Sequence, residues 1–210
     1  MMVVIATAPS MHYTGRHSKG GSDLSNDSRE KMVRSAASLI GARGASATSF
    51  SDVLAASGAP RGSIYHHFPD GKQQLTEDAV RYVTDRVLAH QRLCPAKSAA
   101  DVLRWFVAMW RQVVVGSNAA SGCAIAGVAV DTPVGDADVM QIVRASFRAW
   151  TSLLAEQLQA TGLSAKRAKT IATATLAGME GALILCRAEG NVKPLDTVAE
   201  ELLRLVEPAR

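Results

Sequence analysis

The sequence predicts an all-α fold: an N-terminal three-helix domain with a helix-turn-helix, then a larger helical C-terminal domain, about nine helices in all. Three observations predict it. Apolar residues recur at three- and four-residue spacing through most of the chain beyond residue 26. Ser, Gly and Pro stand where such helices would start and stop, and no convincing pair of alternating strands occurs. A chain of 210 residues, 48% of them apolar, is long enough for a substantial core without metals or disulfides.

In chain order, residues 1–24 hold glycines, serines and scattered bases without periodicity, and are expected to form a flexible tail. Asn26 or Asp27 can cap a helix running to about residue 43, with Met32, Val33, Ala36, Leu39 and Ile40 as its apolar stripe and Gly44 as its stop. Ser49 can cap a two-turn helix carrying Phe50, Val53 and Leu54, closed by Gly58. Pro60 suits the start of a second short helix, where its missing N–H costs nothing. In that helix Ile64 and Phe68 are four apart and face inward, while Arg61, Ser63 and His66 project elsewhere. Two short helices joined by a tight turn, the second with donors at its start, describe a helix-turn-helix.

From Lys72 a long helix of about six turns runs to just before Pro95. Further helices are expected over 102–115, 136–160, 164–189 and 195–205, with a short buried one in GCAIAGVAVDTP, closed by Thr132 and Pro133. The expected division is 1–24 tail, 25–71 helix-turn-helix domain and 72–210 larger domain.

Charge decides little. The net charge is +4, and in the first eighty residues bases barely outnumber acids, so a nucleic-acid partner would depend on where the donors sit. The three cysteines, Cys94, Cys123 and Cys186, are odd in number and form no CxxC, which fits free thiols in a reducing compartment. No uninterrupted apolar run approaches 18 residues and the opening residues do not suit a signal peptide, so a cytoplasmic protein without a membrane partner is expected.

The stretch SFSDVLAASGAPRGSIYHHF resembles the DNA-binding segment of the tetracycline-repressor (TetR) family of transcriptional regulators. The matching positions are the cap Ser49, Val53, Gly58, the Tyr-x-His-Phe end at Tyr65, His67 and Phe68, and Lys72 opening the next helix. Gly71 in PDGKQQL and the later GCAIAGVAVD resemble the LmrA/YxaF branch. The resemblance implies DNA contacts at Ser49, Arg61, Gly62, Ser63, Tyr65, His66 and Lys72.

Chemistry agrees with that list. Arg61 at the start of a groove-entering helix can hold guanine O6 and N7 bidentately, and Ser63 can join it. Gly62 allows close backbone approach. Tyr65, His66, Ser49 and Lys72 suit phosphate or thymine-methyl contacts. Pro60 replaces the family's usual serine or threonine and removes one possible phosphate contact. His67 and Phe68 read as core, and Asp52 as a partner of the helix dipole.

All three tryptophans lie in the second half. Trp105, Met109, Trp110, Val128, Phe147, Trp150, Met179 and Leu183 can be ordinary core, or some can line a cavity for a small apolar or aromatic effector, which the resemblance implies. Glu180 is a carboxylate among apolar neighbours and needs a partner, either across a subunit boundary or from a ligand. Ala174, Gly178, Gly181, Ala182 and Leu185, with Leu202 and Val206, are the candidate two-fold homodimer interface.

No cofactor is expected. G-x-S-x-G, Walker and H-E-x-x-H motifs are absent, and His90 with Cys94, four apart on one helix, lacks further clustered metal ligands. The resulting expectation is a ligand-responsive repressor released from an inverted-repeat double-stranded DNA operator. The alternative is a non-enzymatic helical adaptor or ligand-binding protein that does not bind DNA.

Overall fold

Local capping chemistry sets most of the helix boundaries in the computed structural model, which describes residues 20–133 and 137–207. Helix α1, Gly20–Arg43, presents Met32, Val33, Ala36, Ala37 and Ile40 to the core and stops at Gly44, whose φ of +85° is a conformation glycine adopts without Cβ strain. It starts seven residues before Asp27, so Gly20–Leu24 are helical rather than tail, and the rest of the expected tail lies outside the described residues. Asp27 is no cap. It sits inside the helix and accepts from Lys31 Nζ at 2.6 Å one turn on. Once nucleated, a helix extends backward at one hydrogen bond per residue, and residues 20–26 contain no proline to stop it.

Helix α2, Phe50–Ser57, is capped as expected. Ser49 Oγ accepts the Asp52 N–H while the Asp52 carboxylate accepts the Ser49 N–H, a reciprocal capping box, and Gly58 closes the far end at φ +70°. Helix α3, Ser63–His67, begins three residues later than Pro60 suggested. Pro60 opens a turn instead: its carbonyl accepts from the Ser63 N–H at 3.0 Å and from the Ser63 hydroxyl at 2.6 Å. Ile64 and Phe68 are fully buried, each contributing about 1.5–3 kcal/mol to holding α3 on α1.

Helix α4, Gly71–Arg92, has 22 residues and is therefore about 33 Å long. It packs on α1 at one end and on the later helix α7, Ala137–Ala160, further along. Helix α5, Ala99–Gly116, starts three residues earlier than expected because Ser98 caps it by accepting the Asp101 N–H. Helix α6, Ala124–Asp131, buries Ala124, Ile125 and Val128 and closes at Thr132; it is not buried all round, since Val130 is exposed. Helix α8, Ala165–Glu189, runs from the Ser164 cap to Gly190 at φ +69°. Helix α9, Lys193–Arg204, starts two residues earlier than expected, with Pro194 in its first turn.

Among the described residues there are nine helices and no strand. One continuous core runs from Met32, Val53 and Phe68 through α4 to α7, α8 and α9. By length and composition α8 could cross a membrane, but 44% of its most apolar stretch is buried in this core, against α7 and α9.

Candidate nucleic-acid interface

The reading head has a locked side and an open side. Ile64 and Phe68 anchor α3, and the Arg29 guanidinium lies over the Phe68 ring at 5.3 Å. The open side carries Arg61, Tyr65 and His66, all exposed; Tyr65 is 70% exposed and rests edge-on against Phe50 at 5.8 Å, so it is braced but not core. Gly62 is exposed, with open space where a Cβ would be. The hydroxyl of Ser63 is already given to Pro60. His67 is half-buried between His66 and Phe68. Burial, then the charges of His66 and Arg29, depress its pKa, so it stays neutral over a wider pH range than a free imidazole.

At the other edge of the head, the Ser49 hydroxyl donates to Asp52 Oδ2 at 2.6 Å, and that oxygen also meets Arg43 at 2.6 Å. The Ser49 hydroxyl, the Ser49 backbone N–H and then Arg43 pull the Asp52 carboxyl down to about 2. A depressed carboxylate contributes stability above its unfolded value and loses it only as pH falls through about 2, so the cap is intact at all ordinary pH. A phosphate arriving at this helix start therefore meets a fixed negative charge beside the dipole. The Arg43–Asp52 pair had no signature in the sequence, because its partners are joined across a turn. Alanine at Ser49 removes the hydroxyl half of the box and keeps the backbone N–H that donates to Asp52, and thermal or urea unfolding is expected to show a loss of about 1 kcal/mol.

Lys72, exposed at the start of α4, donates to the Ser46 carbonyl at 3.1 Å. The chain of contacts thus runs from α4 to the loop before α2, not only toward solvent.

In the larger domain, Met109, Trp110, Val128, Trp150, Met179 and Leu183 are buried, and Trp105 and Phe147 half-buried. Trp110 and Trp150 meet edge to face at 5.9 Å, as do Phe147 and Trp150. Trp150 Nε1 donates to the Thr84 carbonyl at 3.2 Å, tying α7 to α4. Trp105 stacks on His90 at 4.8 Å and donates to the His90 carbonyl at 3.0 Å, so the imidazole proposed beside Cys94 packs on an indole face. Of the side chains gathered as a possible cavity, Trp110, Phe147 and Trp150 pack against one another.

Residues 33–79 match the family described as bacterial regulatory proteins, tetR family, and residues 99–201 match the C-terminal domain of LmrA/YxaF-like transcriptional regulators. An uncharacterised HTH-type transcriptional regulator of Mycobacterium tuberculosis is 39% identical over 185 residues, which is 85% of this chain and 93% of that protein. The chain belongs to the TetR family. The HTH-type transcriptional regulator LmrA of Bacillus subtilis is 29% identical over 173 residues, 80% of this chain and 91% of its own. The crystal structure of a TetR transcriptional regulator from Legionella pneumophila superposes with a TM-score of 0.77 at 21% identity, covering 92% of this chain and 100% of that one, which shows the shared fold.

As a TetR-family regulator the protein binds DNA, and the family's members are regulators rather than enzymes. The family commonly dimerises, which makes the exposure of α8 and α9 informative. Ala182 and Leu202, taken from the sequence as interface residues, are buried inside the protomer, and Gly178 faces Val198 and Leu202 of α9. Ala174 and Val206 are half-buried. Gly181 and Leu185 are exposed and are joined on the same face by Ala177 and Ile184, which the small-residue pattern alone had not brought in for Ile184.

Proposed function

We propose that this TetR-family regulator is a repressor that reads an inverted-repeat operator as a homodimer and is released by a small, mainly apolar or aromatic effector. The observation that carries the DNA half is the two-sided α3: its inner face is locked in the core, and its outer face offers Tyr65 and His66, with Arg61 exposed in the turn just before it. Arg61 and Ser63 are the base readers in this reading, with Gly62 permitting approach. Tyr65, His66 and Lys72 hold phosphates, and Ser49 joins them only by giving up its bond to the Asp52 carboxylate.

Lys72 has a second partner in Ser46, which it exchanges for phosphate on binding. Alanine at Lys72 is expected to weaken cognate and random DNA alike, by a few-fold, and to reduce the slope of log affinity against log salt by about 1. Fluorescence anisotropy across a salt series measures it.

Two copies are needed because one five-residue helix end reads a single half-site. Support for pairing comes from Ala177, Gly181, Ile184 and Leu185, which fall at helical spacing on one exposed strip of α8; Ile184 is 67% exposed. Among the described residues nothing comes within 4 Å of a Cβ placed on Gly181, so its small size serves no contact there and suits a partner helix coming close.

For the effector, Trp110 Nε1, Thr175 Oγ1 and Glu180 Oε1 are buried without a hydrogen-bond partner among the described residues, and a polar group on a mainly apolar ligand that reached any of them would satisfy it. The mechanism is a population shift: the effector binds a spacing of the two heads that no longer fits the operator, with coupling of about 1–3 kcal/mol. Selecting bound sequences from random duplexes, then screening apolar aromatic compounds for release of the selected duplex, tests both halves. A compound that binds tightly and leaves operator affinity unchanged speaks against the release half.

A further inference from the structure

We infer that Asp131, the last residue of α6, is the positioning residue through which the larger domain holds the DNA-reading head. This rests on the DNA-regulator reading above and names the contact that couples its two halves. Helix α6 belongs to the larger domain in sequence, yet it packs on α1 at backbone distance. The Gly122 N–H donates to the Gly41 carbonyl at 2.8 Å, and a Cβ on Gly127 would come within 3.2 Å of the Ile40 carbonyl. A Cβ on Gly41 would in turn meet the Gly122 carbonyl at 2.8 Å, so side chains at Gly41 and Gly127 would push the two segments apart, and the seam transmits displacement rather than absorbing it.

At the end of this seam the Asp131 carboxylate reaches into the loop between α1 and α2. Its Oδ2 accepts the Ser46 N–H at 3.0 Å, and the same carboxylate fills the space where Gly44 would carry a side chain. Ser46 is held from its other side by Lys72, whose ammonium donates to the Ser46 carbonyl at 3.1 Å. One residue, through the peptides on its two sides, therefore joins α6, α4 and the short run Ala47–Thr48 that leads into the Ser49 cap. The other end of α6 starts at Cys123, the thiol partner of the half-buried Glu180 on α8. A carboxylate accepting a backbone N–H keeps its geometry only within hydrogen-bond reach, so a shift of α6 by an ångström or two must either drag the loop or break the contact.

The test uses the full-length protein and the duplex it selects from random DNA. Binding is reciprocal: if α6 reports to the head, operator binding must be felt in α6. Amide exchange over residues 124–131, read by mass spectrometry, is expected to change at least about fivefold on operator binding in the wild type, the lower end of ordinary coupling. Asp131→Asn, which retains an acceptor oxygen, keeps that response; Asp131→Ala, still folded by its melting temperature, reduces it below about twofold. An Asp131→Ala protein that responds like wild type, or a wild type without any response in α6, overturns the inference. Should Asp131→Ala fail to fold, exchange of the Ser46 amide in the wild type decides: a fivefold change with operator upholds the contact's role, and no change refutes it. A wild type that enriches no DNA sequence sinks this inference and the DNA reading together, whereas operator binding with a silent α6 sinks this one alone.

Discussion

Replacing Arg61 by alanine is expected to cost about 1–3 kcal/mol per half-site on the cognate operator, roughly 5- to 150-fold in affinity for each head. Random duplexes should lose far less. The asymmetry follows from the site: Arg61 stands exposed in the turn before α3, beside the fully buried Ile64 and Phe68 that fix where the helix points. Among the described residues its guanidinium makes no ion pair, so the substitution leaves packing alone and removes only the fork that reads a base edge. Anisotropy titrations on cognate and scrambled duplexes at one salt concentration make the comparison. Equal losses on both would move Arg61 from the base readers to the phosphate holders.

The second large effect concerns Glu180. Burial raises its carboxyl to about 7, against the pull of the Cys123 hydrogen bond, which works to lower it. The neighbouring Cys123 thiol is itself pushed well up by burial and stays neutral through this range. The sign follows from the raised value: the folded state holds its proton more tightly than the unfolded one, so stability is full below the unfolded value of 4.5 and is lost as pH rises through about 7. Fully developed, the loss is about 3 kcal/mol. Glu180→Gln removes the charge and keeps the shape. Urea unfolding at pH 8 should then find the variant more stable than wild type by up to about 3 kcal/mol, with the advantage gone by about pH 4.5. An advantage of the same size at both pH values would contradict a buried, reluctantly ionised carboxylate.

The head was legible from the sequence because its instructions are local. Ser49 and Gly58 cap α2 by contacts three or four residues long, and the four-residue spacing of Ile64 and Phe68 names the buried side of α3. Errors came where the deciding contact was not local or where two local signals competed. Pro60 carries a helix-start signal, but its carbonyl is more useful as the acceptor of a turn that delays α3 to Ser63. On α8, small residues mark two different faces: Gly178 and Ala182 serve packing within the protomer, and Gly181 lies on the open strip. Composition cannot separate them, because both need a small residue for close approach. The Asp131–Ser46 contact spans 85 residues and the Arg43–Asp52 pair crosses a turn, so neither leaves a periodic trace.

The tryptophans show the same division. Their clustering was visible in the chain, but which are held by hydrogen bonds was not: Trp105 and Trp150 each donate to a carbonyl of α4, while the Trp110 N–H is buried without a partner. That difference makes Trp110 the better candidate for an effector contact among the three.

The central claim is that two copies of this head read one operator. Selection of bound sequences from random double-stranded DNA by the full-length protein tests it most directly, with the mass of the complex measured on the winning duplex. An inverted repeat carrying two protein copies is the expected result, its half-sites lying on one face of the duplex. Enrichment of a lone half-site bound by one copy, or no enrichment at all, would contradict it.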